Sequence, residues 1–103
     1  MTKKITIQDD FYTTVDYATI SDGELTHAEF RIYVYMKLRI QFFEKRGWDY
    51  YESLPTIAEN TKTDKKTVSR AIQKFRKLNY MNVVKEIGKS NKYILLERDG
   101  IPF

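Results

Sequence analysis

Two short helices joined by a turn, predicted between Ser53 and Leu78, constrain the fold of this chain more than any other stretch. Ser53 can cap the first helix, and Pro55 stands in its first turn, where a backbone N–H has no helical partner. We expect this helix to end near Thr61. Asp64 can cap the second helix and suits the positive end of its dipole, so the sequence predicts a second helix that runs to about Leu78.

The second helix is amphipathic. Its apolar residues recur at spacings of three and four, which predicts one stripe facing the core: Val68, Ala71, Ile72, Phe75 and Leu78. The opposite face is almost free of acids and carries cations, hydroxyls and an amide: Lys65, Lys66, Thr67, Ser69, Arg70, Gln73 and Lys74. Cations can bind phosphates, and the polar groups can address base edges. This face is a candidate DNA-reading surface, with a merely solvated helix face as the alternative.

The turn between the helices carries a family resemblance. Ala58 stands ten residues before Val68, a spacing that lets the helices cross over a small side chain. With Thr-Val-Ser-Arg-Ala at 67–71, the arrangement resembles the helix-turn-helix of winged-helix DNA-binding proteins. That family commonly has glycine at the position of Lys62, because a left-handed backbone there costs other residues about 1–2 kcal/mol. We therefore expect a looser turn in this chain.

The composition favours one folded domain with a polyanionic partner. A chain of 103 residues can enclose one modest core, and 42% hydrophobic residues are too many for a disordered chain. No apolar run approaches a membrane span and the start lacks a signal-peptide core, so we expect a cytoplasmic protein that does not bind membranes. Residues 62–92 hold ten Lys or Arg and two acids, a net charge of +8, whereas the rest of the chain carries −4. Such segregation is typical of nucleic-acid-binding proteins.

A long helix is predicted before the helix pair. Thr26 and Glu29 form a Thr-x-x-Glu capping box, and Leu25 can pack on Phe30, so the helix should start here and run to about Glu44. It holds more apolar residues than one face can bury. The surplus could be covered by the N-terminal segment, by the hairpin described below or by a second copy. We predict a homodimer through this helix, with coverage inside one chain as the alternative.

The segments on either side complete the predicted architecture. Residues 1–20 should form a short strand or an extended arm, which could pack on the domain, swap onto a partner or reach DNA with Lys3 and Lys4. After Gly47, Tyr50 or Tyr51 could pair with the later strands. The chain then ends in a predicted β-hairpin and a short tail.

The hairpin is predicted from two apolar runs with turn residues between them. Met81–Ile87 and Lys92–Leu96 read as strands, and residues 88–91 have turn chemistry throughout. Lys85, Lys89 and Lys92 should lie near its tip. They could hold DNA phosphates or simply keep an exposed hairpin soluble.

The predicted fold is a small α+β winged helix-turn-helix domain at residues 25–96, with an N-terminal arm (1–24) and a C-terminal tail (97–103). Phe-Tyr-x-x-Val at 11–15, Leu-Thr-x-x-Glu-Phe-Arg at 25–31, Leu-Pro-Thr-Ile-Ala at 54–58 and Lys-Thr-Val-Ser-Arg-Ala-Ile at 66–72 carry a narrower resemblance. They resemble the N-terminal domains of plasmid and phage replication initiators from Gram-positive bacteria and the DnaD-like primosomal proteins. The resemblance implies a DNA-binding role at a replication or regulatory locus of a mobile element.

The predicted activity is the reading of duplex DNA. Arg70 or Gln73 would read bases, and phosphates would be held by Lys74, Lys85, Lys89 and Lys92. One alternative is single-strand binding, which requires exposed tyrosines beside the basic surface: Tyr50, Tyr51, Tyr80 or Tyr93. Another is an interaction module whose long helix docks a replication protein.

We do not expect this protein to be an enzyme. His27 is the only histidine, there is no cysteine, and the four glycines are isolated. The sequence therefore predicts no catalytic site, cofactor or metal.

Overall fold

Three helices packed on a small antiparallel sheet form the body of the domain. The computed structural model describes residues 13–85 and 87–96. The elements follow in the order α1 (Tyr17–Ile20), α2 (His27–Glu44), β1 (Tyr50–Tyr51), α3 (Leu54–Thr61), α4 (Lys65–Lys77), β2 (Met81–Val84) and β3 (Lys92–Leu95). The described residues thus form a small α+β domain, as predicted. No helix among them combines the length and the hydropathy needed to cross a bilayer.

Helix α2 starts where its capping box predicts. The Glu29 N–H donates to Thr26 Oγ1 at 3.1 Å, and the Thr26 N–H donates to Glu29 Oε1 at 2.8 Å. Each bond pairs a backbone donor that the first turn cannot satisfy by itself. Ser53 and Asp64 cap α3 and α4 in the same way, since their side chains accept the backbone N–H groups of Thr56 and Thr67. All three predicted helix starts are confirmed.

The three long helices also end alike. In each, a residue with positive φ follows the last turn, and the next backbone N–H donates to a carbonyl five residues earlier. The donors and acceptors are Trp48 and Phe43 (2.9 Å), Thr63 and Ala58 (2.9 Å), and Tyr80 and Phe75 (2.8 Å). The left-handed residues between them are Gly47, Lys62 and Asn79. This geometry reverses the chain sharply, so α2, α3 and α4 can pack against one another.

The turn between α3 and α4 is closed, so the looser turn expected from the missing glycine is not found. Lys62 itself adopts the left-handed conformation, with φ 58° and ψ 41°. The Thr61 hydroxyl lies 2.8 Å from the Ile57 carbonyl and 2.9 Å from the Thr63 hydroxyl. These bonds hold Lys62 in a backbone conformation that a side chain with a Cβ disfavours.

The sheet has the strand order β1-β3-β2, and both pairs are antiparallel. Tyr50 lies opposite Tyr93, which confirms that the connector after α2 pairs with the later hairpin. Strand β2 is shorter than predicted, because its ladder ends where Val84 pairs with Lys92. Ile87 therefore belongs to the hairpin loop, and the prediction that the strand reaches it was wrong.

The core lies between α2, α3, α4 and one face of the sheet. Its residues are Ile32, Tyr33, Met36, Ile40, Tyr50, Ile57, Ala58, Val68, Ala71, Ile72, Phe75, Tyr80, Met81 and Tyr93. The Tyr33 ring packs edge-on against the rings of Phe75 and Tyr80, at centroid distances of 5.6 and 4.9 Å. The predicted stripe of α4 is buried, apart from the half-buried Leu78 at its end. The opposite face of α4 is consequently turned outward.

The segment before α2 contains a short helix rather than a strand or arm at Tyr17–Ile20. Asp16 explains its start, because its Oδ1 accepts the Thr19 N–H at 2.7 Å. The sequence prediction missed this helix because its single turn leaves no periodic apolar pattern. Residues 1–12, including Lys3 and Lys4, lie outside the described residues, and so does the predicted tail at 97–103.

The surplus apolar side chains of α2 are covered within one chain. All eleven apolar residues of this helix, which the structure describes from end to end, are buried or half-buried. Part of the cover comes from the N-terminal segment, where the Thr13 hydroxyl bonds to Gln41 and Lys37 Nζ donates to the Thr14 carbonyl. Burial of α2 therefore needs no second copy. The homodimer stays a prediction.

Candidate nucleic-acid interface

The outward face of α4 forms the candidate interface. Within its thirteen residues the helix carries six Lys or Arg and no acid. The exposed polar residues are Lys65, Lys66, Arg70, Gln73, Arg76 and Lys77, and the half-buried ones are Thr67, Ser69 and Lys74. None of the nine belongs to the buried stripe. The predicted reading residues of α4 are thus brought together on one surface, which we call the α4 face.

The start of the α4 face is fixed by Asp64. Its Oδ1 accepts the Thr67 N–H at 2.7 Å, and this backbone hydrogen bond is the main reason that the pKa of Asp64 is lowered. The carboxylate stays charged at neutral pH and suits the positive end of the helix dipole. It holds the first turn, with Lys65 and Lys66, in helical geometry.

Lys74 differs from the other cations of the α4 face because it has partners inside the domain. Its Nζ donates to Glu29 Oε1 and to the Glu24 carbonyl oxygen, each at 2.8 Å. Burial raises the pKa of Glu29, but the hydrogen bonds from Lys74 and from the Thr26 backbone outweigh this effect, so the pKa is lowered overall. Lys74 joins α4 to the start of α2. It would have to leave these partners to hold a phosphate as predicted.

The hairpin cations divide in a similar way. Lys85 and Lys89 are exposed in the loop between β2 and β3, and Lys89 Nζ lies 5.3 Å from the centroid of the Tyr51 ring. Lys92 is the first residue of β3, in the ladder pair next to the loop, and its Nζ is 3.3 Å from Asp49 Oδ1. Of the three predicted phosphate-binding lysines of the hairpin, the structure therefore presents two on the loop and pairs the third with an acid.

Two cations of the α4 face were absent from the residues predicted to contact DNA. Arg76 and Lys77 are exposed and line a shallow groove of about 390 Å³ with Gln73, Asn79 and Asn82. The spacings of three and four residues from Gln73 place both on its side of the helix and could have identified them. They extend the α4 face to the end of the helix.

The tyrosines needed for single-strand stacking are mostly inside the protein. Tyr50, Tyr80 and Tyr93 are at most 2% exposed, and Tyr51 is half-buried beneath Lys89. Base stacking requires an accessible ring face, which a buried side chain cannot offer. The indole of Trp48 is exposed after the end of α2, against the Phe43 ring and with the Arg46 guanidinium 6.0 Å from its ring.

The buried Tyr50 belongs to a polar network centred on Glu52. The hydroxyls of Tyr35 and Tyr50 both donate to Glu52 Oε1 at 2.7 Å, and Asn60 Nδ2 donates to the Tyr35 hydroxyl at 2.8 Å. Burial and the bond to Glu52 raise the pKa of Tyr35 to about 12 and raise that of Tyr50 as well. The two phenols therefore remain protonated donors that hold α2, β1 and α3 together, which is a structural role.

The α4 face and the hairpin loop thus offer cations, hydroxyls and amides on the outside of a closed core. Comparison of the chain with protein-family models, with curated proteins and with solved structures found no significant match.

Proposed function

We propose that the protein binds duplex DNA at a replication or regulatory locus and reads it with the α4 face. The observation that carries this proposal is that α4 holds six cations and no acid, and that five of the six cations are exposed. In this proposal the domain is a winged helix-turn-helix, in which α3 and α4 are the helix pair and β2–β3 is the wing. An α-helix fits the major groove of B-DNA, where every base pair presents a distinct pattern of donors and acceptors.

Arg70 and Gln73 are the proposed base readers. Both are exposed on α4 and stand three residues apart, so their side chains leave the same side of the helix. A guanidinium can donate two hydrogen bonds to guanine, and an amide can pair with adenine in the same bidentate manner. Lys65 and Lys66 would hold phosphates beside the groove, because ammonium groups contribute affinity without sequence preference.

The hairpin loop would add phosphate contacts on one side of α4. Lys85 and Lys89 are its exposed cations. Lys74 and Lys92 are already paired with Glu29 and Asp49. We therefore assign these two lysines a smaller part in DNA binding than the net charge of +8 on residues 62–92 suggests.

The test is a titration by fluorescence anisotropy at several salt concentrations. The DNA would be duplex from the neighbouring locus, random duplex and single strand of equal length. We expect tight binding to the native duplex and an affinity that falls steeply with salt, as counterion release requires. Arg70→Ala should weaken that binding and reduce its sequence preference. Arg31→Ala, which removes the same charge from an exposed position on α2, is the matched control and should have little effect.

Two other outcomes would contradict this proposal and favour a different function. Equal or tighter binding to single strand, with quenching of Trp48 fluorescence by oligo-dT, would indicate a single-strand binder, and Trp48 is the only tryptophan in the chain. Loss of every DNA complex at physiological salt would favour the protein-interaction module. The burial of Tyr50, Tyr80 and Tyr93 speaks for the duplex proposal over the single-strand alternative.

A further inference from the structure

The hairpin loop presents an apolar side chain to solvent. Ile87 is fully exposed, more than any other large apolar residue that the structure describes. Its neighbours two positions away on either side are the exposed cations Lys85 and Lys89. With Glu86 directly before Ile87 in the sequence, residues 85–89 combine one branched apolar group with two cations and one acid, a net charge of +1.

The loop is also held in place while its tip stands clear of the domain. The β2–β3 ladder ends at the pair of Val84 and Lys92, so Ile87 lies beyond the paired residues. Gly88 has φ +77°, and a Cβ there would meet no atom of the described residues within 4 Å. Lys89 Nζ lies 5.3 Å from the Tyr51 ring centroid, a cation–π contact that ties the loop to β1. Ile87 therefore projects from an anchored turn.

We propose, building on the duplex-binding function above, that Ile87 is a wedge that enters the DNA minor groove and partly unstacks one base step. Proteins that bend DNA commonly insert Ile, Leu, Phe, Met or Pro in this way, because an apolar group can replace part of a stacking contact. Lys85 and Lys89 bind the phosphates on the two sides of the insertion. The wedge bends the duplex and favours flexible pyrimidine–purine steps, so it adds sequence preference without a hydrogen bond.

DNA is favoured as the occupant over a partner protein by charge and size. Residues 85–89 hold one large apolar side chain, two lysines and one acid, a net charge of +1, whereas protein interfaces have an apolar centre built from several residues and few lysines. A phosphate backbone complements both lysines, and a minor groove about 6 Å wide accommodates one side chain of this size.

The test measures DNA shape as well as affinity. A duplex with fluorophores at its ends would report bending by energy transfer, and 2-aminopurine placed at successive steps would report unstacking. We expect the wild-type protein to bring the ends closer and to raise 2-aminopurine fluorescence at one step. Ile87→Ser should abolish both signals and weaken binding about tenfold or less, whereas Ile87→Leu should keep them. Val84→Ser, a substitution at the partly exposed end of β2, is the matched control and should leave both signals unchanged.

The outcomes separate this inference from the function on which it rests. Absence of duplex binding by the wild-type protein would overturn both. Normal binding with the same bend and unstacking in Ile87→Ser would overturn the wedge alone. If Ile87→Ser loses all binding, a duplex with a mismatch at the affected step should restore it, because that step is already unstacked. Failure of the mismatch to restore binding would also overturn the wedge.

Discussion

Lys74 Nζ lies 2.8 Å from Glu29 Oε1, the same oxygen that accepts the Thr26 N–H at the start of α2. A single carboxylate oxygen therefore caps one helix and binds a cation from another. The pair is largely shielded, since the side chains of Lys74 and Glu29 are 33% and 10% exposed. The Lys74–Glu29 contact thus helps to position the α4 face relative to α2. Lys74 belongs to that face, but the proposed DNA binding does not require it.

Glu29→Gln should make stability less dependent on acid pH. The lowered pKa of Glu29 means that its charged form is favoured in the folded state. This contribution is fully present above the ordinary pKa of 4.5 and is lost as the pH falls through the lowered value. We expect Glu29→Gln to lower the free energy of unfolding by about 1 kcal/mol at pH 7 and to flatten its decline below pH 4.5.

Urea unfolding between pH 3 and pH 7 would measure this difference. Glu24→Gln is the matched control, because Glu24 is exposed and contacts Lys74 through its backbone carbonyl. An acid-induced decline of equal steepness in Glu29→Gln and the wild type would contradict the prediction.

Lys74→Ala should mainly lower stability, whereas Lys66→Ala should mainly lower duplex affinity. Lys74 contacts Glu29, so its loss should reduce the free energy of unfolding by about 1 kcal/mol and duplex affinity only slightly. Lys66 is exposed on the α4 face, so its loss should change stability by less than about 0.5 kcal/mol. The same loss should weaken binding to all duplexes and reduce the salt slope by about one. Thermal unfolding and anisotropy titrations would measure both quantities, and an equal loss of affinity in the two variants would refute the division.

Lys62→Gly should stabilise the protein. Lys62 is exposed and has φ 58°, a conformation that glycine adopts without the steric penalty of a Cβ. We expect a gain of about 1 kcal/mol in the free energy of unfolding, measured with urea. Lys62→Ala removes the same side chain but keeps the Cβ, so it should give no comparable gain. Equal effects of the two substitutions would show that the backbone conformation is not the cause.

Arg70→Ala and Lys89→Ala should separate sequence reading from phosphate binding. Arg70 is a proposed base reader, so its loss should relax preference at one base position at a cost of about 1–3 kcal/mol. Lys89 lies in the hairpin loop, and its loss should weaken binding to all sequences alike. Selection of bound sequences from a randomised duplex pool would compare the two variants. Indistinguishable selectivity profiles would rule out this assignment of roles.

Local contacts made much of the architecture predictable. The starts of α2, α3 and α4 follow from Thr26, Ser53 and Asp64, because each cap bonds to a residue only three positions away. The three- and four-residue spacing of α4 likewise identified its buried stripe and hence its outward face. The single-turn helix α1 was missed because one turn carries too few residues for such a pattern.

The sequence by itself determined the order of the elements from α2 to β3, the capping residues of α2, α3 and α4, and the chemistry of the α4 face, since these depend on neighbours within a few positions. Only the tertiary structure decided which of those groups remain exposed. Lys74 and Lys92 are paired with Glu29 and Asp49, and Ile87 leaves the strand to stand at the hairpin tip. The two ion pairs join segments more than forty residues apart in the chain, and such packing leaves no local spacing pattern by which a sequence could reveal it. The exposure of Ile87 follows from the register of β2 with β3, which ends at the pair of Val84 and Lys92.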